Sequence, residues 1–193
     1  MRPGDCFVDV GANIGYFTLL ASRAVGPSGR VLAFEPDPDN YRLLALNCKH
    51  NGCDNVTLFR EALSDSDSSG RLYLSDSNRG DHTIYPTEGE RQSQVIHLAR
   101  GDTLLKSQDA RPRLIKIDTQ GSEYQVLLGL ENMLAEQLED LAVLLEFSPN
   151  SVRHTSAEPL AVLDLLESLQ AHCYVLDNFE NKITPIPLEQ LRQ

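Results

Sequence analysis

Apolar positions along the chain fall into short runs, separated by stretches in which apolar residues recur at helical spacing. Cys6-Phe-Val-Asp-Val10 predicts a strand that ends at Gly11. Gly15 to Val25 predicts a helix, with Ile14, Phe17, Leu20, Ala21 and Ala24 on one stripe. The cluster Gly26-Pro27-Ser28-Gly29 breaks it. Arg30 to Phe34 reads as a second strand, stopped by Glu35-Pro36. Pro38 to His50 is helical: proline suits the first turn, and Tyr41, Leu44, Ala45 and Cys48 recur at the helical period. Asn51-Gly52 closes that helix, and Val56 to Phe59 is a third strand.

From Ser64 to Ser93 the chain turns rich in Ser, Asp, Gly and Arg, with β-like pieces at Arg71–Leu74 and Val95–Leu98. We read about 64–100 as a β excursion with a polar loop rather than a separate domain. A loop this long inside a compact domain is more often functional than idle. Leu114 to Ile117 is another short strand, and Glu123 to Leu138 is a helix with a break near Gly129. Leu141 to Phe147 is a strand, Glu158 to Ala171 an amphipathic helix, and Cys173–Leu176 with Lys182–Ile186 a terminal antiparallel pair. With neither a repeat nor a linker, residues 1–193 read as one domain. Strands alternating with helices imply an α/β fold whose mostly parallel sheet is covered on both faces. Right-handed crossovers then bring the carboxyl ends of the strands to one edge, where ligands bind.

Composition narrows the class of partner. The chain is 41% hydrophobic and 23% charged, with a net charge of −11, so it has material for a core. That charge disfavours nucleic acid and anionic membrane surfaces as partners. No apolar run approaches the roughly 20 residues of a membrane helix. Met1 to Val10 lacks the basic and apolar regions of a signal peptide. Cys6, Cys48, Cys53 and Cys173 form no Cys-x-x-Cys pair, so they read as reduced thiols in a cytoplasmic protein.

Three strand ends carry candidate chemistry. Asp9-Val-Gly-Ala-Asn-Ile-Gly15 is a strand-to-helix turn in which Gly11 and Gly15 permit tight dihedrals and close approach of a ligand. Amides at the helix start can face a polar or anionic group. A dinucleotide fingerprint would have glycine where Asn13 and Tyr16 stand, which disfavours a dehydrogenase. Glu35, before Pro36, is placed to accept hydrogen bonds from the two hydroxyls of a ribose. Glu61-Ala62, after the third strand, could read an adenine edge.

The segments Asp9-Val-Gly-Ala-Asn-Ile-Gly-Tyr-Phe-Thr18, Phe34-Glu-Pro36 and Ile115-Lys-Ile-Asp-Thr-Gln-Gly-Ser-Glu123 strongly resemble the FkbM family of S-adenosylmethionine-dependent methyltransferases. The resemblance runs from about Gly4 to Pro149. It implies a Rossmann-like class I methyltransferase fold: a three-layer sandwich on a seven-stranded sheet of order 3-2-1-4-5-7-6, with the seventh strand antiparallel. It also implies methyl transfer from S-adenosylmethionine to a hydroxyl oxygen, typically on a sugar or a secondary metabolite. Matched by position, the turn of Asp9, Gly11, Ala12, Asn13 and Gly15 would wrap the methionine part of the cofactor. Glu35 with Pro36 would hold the ribose, Glu61 and Ala62 would line the adenine pocket, and Asp118 would sit beside the reactive methyl. Where the family usually has Val-Glu-Gly, this chain has Thr119-Gln120-Gly121, which removes a carboxylate and leaves Asp118 and Glu123. Helices that often precede the first strand in the family are absent, which is expected of a short version or of a truncated reading frame.

An alkyl hydroxyl is a poor nucleophile until a base takes its proton. Asp118, His82 and Glu123 are the candidates for that role; Asp118 could instead hold the amino group of the cofactor, His82 could be simply solvated, and Glu123 could simply favour a helix start. Glu146 follows the fifth strand of the main sheet and could face the acceptor, with a structural role the simpler expectation. Ser77 to Tyr85, with Asn78, Arg79, Asp81, His82 and Tyr85, is the expected acceptor-facing loop. No compact ligand motif supports a metal site, although Asp118 with Asp81 or His82 could form one. The alternatives are a methyltransferase acting on a nitrogen or carboxyl acceptor, and a nucleoside-binding scaffold of the same fold without turnover.

Overall fold

The computed structural model describes residues 1–75, 80, 82–86, 92–137, 139–146, 160–177 and 182–192. Five strands form the central sheet: β1 (Cys6–Val10), β2 (Arg30–Phe34), β3 (Val56–Phe59), β7 (Pro112–Ile117) and β8 (Ala142–Leu145). They lie in the order β3-β2-β1-β7-β8, every neighbouring pair parallel. Side chains alternate across this sheet. Val8, Val10, Leu32, Phe34, Ile115 and Ile117 point into the larger core. That core is closed by α3 (Gly101–Ser107), α4 (Glu123–Gly129), α5 (Glu131–Glu136) and α6 (Ala161–Ser168). On the other face Phe7 and Val31 pack against α1 (Tyr16–Val25), and Ala33 packs against α2 (Pro38–His50).

Of the stripe expected for α1, Ala21 faces the sheet and the larger residues are turned outward. Thr18, Ala21, Ser22 and Val25 are buried, whereas Ile14, Phe17 and Leu20 are exposed. Small residues let the helix lie close on β1 and β2, and Thr18 Oγ1 donates to the buried Asp9 at 2.6 Å. Helix α2 begins where proline predicted, with the Asp37 carboxylate accepting from the amides of Asp39 and Asn40.

The excursion has its own sheet. β4 (Ala62–Ser64) pairs parallel with β6 (Ser93–Arg100), and β5 (Ser68–Tyr73) pairs antiparallel with β6. Helix α3 follows directly; its apolar signal is only Leu104 and Leu105, too short for periodicity to reveal. Where the resemblance implies seven strands in one sheet, the described residues contribute five. The last strands, β9 (Tyr174–Asp177) and β10 (Lys182–Pro185), pair antiparallel as expected and, among the described residues, only with each other. Each has four residues, and Tyr174, Val175, Leu176 and Ile183 stay exposed, so the pair buries little apolar surface.

All four cysteines are free thiols. Among the described residues no helix is long and apolar enough to cross a membrane.

Candidate active site

A cavity of about 320 Å³ opens at the carboxyl edge of the sheet. Its size lies at the small end of the range for ligand pockets. Gly11 and Asn13 after β1, Glu35 and Pro36 after β2, Asp118 and Gln120 after β7, and Glu146 after β8 all line it. Ala62 of β4 lines it too, and the excursion adds a wall through Leu72, His82 and Ile84.

The glycine turn is built differently from the sequence expectation. Gly11 (φ +75°) is pressed against the end of β7: a Cβ there would stand 1.9 Å from the Asp118 carbonyl oxygen. Gly15 (φ +98°) is packed on α2, where a Cβ would meet Leu44 Cδ1 at 2.6 Å. Both glycines therefore serve approach between chain segments. The turn amides are also engaged within the protein. Those of Gly11 and Ala12 donate to the Phe34 carbonyl, that of Gly15 to Ala12, and that of Asn13 to Glu35 Oε2 at 2.8 Å. Ala12 itself is buried against Ala33 and Leu44. What the turn offers the cavity is the backbone of Gly11 and the Asn13 residue, and neither Ala12 nor Gly15 borders it.

Glu35 is held rigidly. Besides Asn13, the Asp37 amide donates to its Oε1 at 2.9 Å. Each carboxylate oxygen keeps a further lone pair for a hydroxyl donor. Burial pushes the Glu35 carboxyl up to about 7, against the opposing effect of the two amides. Between pH about 4.5 and 7 the folded state therefore binds a proton that the unfolded state has lost. Stability falls as pH rises through that window, by on the order of 3 kcal/mol for this group. Chemical denaturation of wild type and Glu35→Gln at pH 5 and pH 8 checks it: the variant should gain relative stability at the higher pH.

Under the turn lies a charge the sequence reading left without a role. Lys116, buried in β7, donates to the Gly11 carbonyl at 2.8 Å. Its Nζ is 3.4 Å from Asp9 Oδ1 and 3.3 Å from Asp118 Oδ2, and 5.4 Å from the centre of the Phe17 ring. Asp9 is wholly buried, its carboxyl pushed up by burial and drawn back by Lys116 and Thr18. Asp9 thus supports the turn from beneath, outside the cavity lining. A lysine inside the run Leu114-Ile-Lys-Ile117 was the available signal, because a charge in a buried strand needs partners.

The remaining candidates separate. Asp118 lines the cavity with its side chain about one-third exposed. Glu123 does not line it; its carboxylate accepts from the amides of Thr119 and Gly121 and from Thr119 Oγ1, so it shapes the loop after β7. His82 lines the cavity, and the Ser75 amide donates to its Nδ1 at 3.0 Å. A neutral imidazole with Nδ1 so engaged carries its proton on Nε2 and is a donor there. Glu61 does not line the cavity, whereas Ala62 does. Of the expected acceptor loop, Ser77, Asn78, Arg79 and Asp81 lie outside the described residues, and Tyr85 is half-buried off the cavity.

Gln120 and Glu146 join Asp118 in one cluster. Gln120 Nε2 donates to Asp118 Oδ1 at 3.0 Å and to Glu146 Oε2 at 3.1 Å. Gln120 adopts a positive φ of 53°, a conformation that local sequence does not announce.

Residues 9–173 match the family described as the methyltransferase FkbM domain. The hexuronic acid methyltransferase AglP of Haloferax volcanii is 34% identical over 134 residues, which are 67% of this chain and 52% of AglP. The 31-O-demethyl-FK506 methyltransferase FkbM of Streptomyces tacrolimicus is 29% identical over 163 residues, covering 68% of this chain and 62% of that protein. The chain thus spans between about half and two thirds of the length of these curated relatives. Among solved structures, a methyltransferase FkbM from Methylobacillus flagellatus KT superposes with a TM-score of 0.62 at 18% identity, over 96% of this chain and 43% of that one. SMU.1697c of Streptococcus mutans, solved in complex with SAH, gives 0.52 at 12% identity, over 96% and 91%. These likenesses fix the fold as that of class I methyltransferases, and the match over residues 9–173 places this chain in the FkbM methyltransferase family.

Proposed function

We propose that the cavity binds S-adenosylmethionine and that the chain directs methyl transfer to a hydroxyl oxygen on a sugar or a secondary metabolite. The observation that carries this reading is the anchored Glu35 carboxylate at the end of β2, opening on the same cavity as Asp118. A carboxylate already oriented by two amides loses little freedom when it accepts two ribose hydroxyls. Ala62 suits the adenine, and Gly11 with Asn13 the methionine part. Asp118 stands one strand away, where the reacting centre or the cofactor's amino group would lie. The acceptor class draws support from the two relatives, whose names specify a hexuronic acid and 31-O-demethyl-FK506.

The cofactor supplies a methyl group on a sulfonium sulfur, activated for displacement. What the chain contributes is placement and proton handling. Holding the acceptor oxygen in line and about 3 Å from its target can contribute several kcal/mol, up to roughly 7–11 in ideal cases. A positioned base adds about 10²–10⁴-fold.

Calorimetric titration with S-adenosylhomocysteine and, separately, with NAD tests the reading. Binding of the former alone is expected. Glu35→Ala should weaken it by about 10–100-fold, the worth of hydrogen bonds to a charged group. Binding of NAD in its place would overturn the reading.

A further inference from the structure

Among the described groups that border the cavity, and with Glu35 assigned to the ribose, Glu146 is the one placed to receive a proton. Asp118 is committed elsewhere: its Oδ2 faces Lys116 Nζ at 3.3 Å, and its Oδ1 accepts from Gln120. His82 has Nδ1 engaged by the Ser75 amide, and Glu123 is spent on the loop after β7. Glu146 comes from the end of the next strand, lines the same cavity and lies within hydrogen-bonding reach of Asp118. The single Gln120 amide group donates to both carboxyls, so it fixes their spacing.

We propose that Glu146 takes the proton of the acceptor hydroxyl, and that Gln120 and Asp118 are the residues that position it. This rests on the reading of the cavity as a methyl-transfer site. In the step the acceptor oxygen forms its bond to the methyl carbon, the methyl–sulfur bond breaks with its electron pair left on sulfur, and the hydroxyl proton passes to a Glu146 carboxylate oxygen. The proton then leaves to solvent, because Glu146 is exposed.

The charges of the pair support this division of labour. Against the effect of burial, the hydrogen bond with Glu146, then the Lys116 charge and Gln120, hold the Asp118 carboxyl below its ordinary value. The hydrogen bond with Asp118, partial burial and the Asp118 charge, in that order, push the Glu146 carboxyl up to about 7. A base that titrates there is ionised in a useful fraction at neutral pH and still binds a proton well. Lys116, Asp118 and Gln120 face Glu146 from the β7 side, with the Glu123 charge also felt.

The test joins a spectroscopic and a kinetic reading on the full chain. Carbon-13 NMR on protein labelled at glutamate carboxyls follows Glu146, identified by the resonance that Glu146→Gln removes. It should titrate near 7 in wild type and return toward the ordinary glutamate range in Asp118→Asn. Methyl transfer from S-adenosylmethionine to methyl glucuronoside and to methyl glucoside is then measured against pH. The rate should rise as pH rises through about 7. Glu146→Gln should lower kcat by about 10²–10⁴-fold with S-adenosylhomocysteine affinity unchanged. Titration of Glu146 in the ordinary glutamate range, or full turnover in Glu146→Gln, overturns the proposal while leaving cofactor binding intact. Absence of S-adenosylhomocysteine binding to wild type overturns the reading beneath it and the proposal together.

Discussion

Lys116→Met is expected to destabilise the fold by about 3–5 kcal/mol, measured by urea unfolding monitored by circular dichroism. The methionine fills much of the volume but leaves Asp9 as a buried carboxylate whose remaining side-chain partner is Thr18. It also strips the Gly11 carbonyl of its donor. Burial already pushes the Asp9 carboxyl up, so without Lys116 the group should take a proton in the folded state. The loss should accordingly shrink on acidification, since the unfolded chain binds that proton only at lower pH. A double variant, Asp9→Asn with Lys116→Met, should recover a large part of the stability because the wholly buried charge at position 9 is gone and Asp118, which also loses Lys116, is about one-third exposed. A Lys116→Met protein as stable as wild type would mean that the Asp9–Lys116–Asp118 chain is not holding the strand ends together.

Gly11→Val is expected to cost several kcal/mol and to abolish binding of S-adenosylhomocysteine. Two penalties combine at this position. A branched side chain at φ +75° is strained by itself, and the Cβ would stand 1.9 Å from the Asp118 carbonyl oxygen. The Asp118 amide donates to the Val10 carbonyl beside it, so β1 and β7 would have to part at the edge that forms the cavity. Gly52→Ala separates the two effects: it also has a positive φ (+63°), but no atom lies within 4 Å of the added Cβ. That control should lose only about 1–2 kcal/mol and keep full affinity. Equal losses in the two variants would show that backbone strain alone, and not the contact between β1 and β7, decides the Gly11 position.

Much of the architecture could be read from local pattern. Helix α2 has the bounds that its proline and its Asn-Gly signal set, and the Gly129 break falls between α4 and α5. The parallel character of the central sheet follows from alternating strands and helices, the order β3-β2-β1-β7-β8 agrees with what the FkbM resemblance implies for these strands, and the carboxyl edge so formed carries both Glu35 and Asp118. Helix α1 was misread because apolarity and burial part company there. Close packing on the sheet favours Thr18, Ala21 and Ser22 over the larger Phe17 and Leu20. Gly11 and Gly15 were legible as glycines that must be glycine, but their reason is the approach of Asp118 and Leu44, residues 107 and 29 positions away. The bridge from Gln120 to Glu146 was hidden for the same reason: the partners lie on adjacent strands, and neither residue announces the other.

The most direct measurement is a crystal structure of the chain with S-adenosylhomocysteine. The expected electron density places both ribose hydroxyls on the Glu35 carboxylate, the adenine beside Ala62, and the sulfur toward Asp118 and Glu146. A complex in which the nucleoside lies elsewhere, or in which Glu35 keeps only its Asn13 and Asp37 amides, would contradict the account.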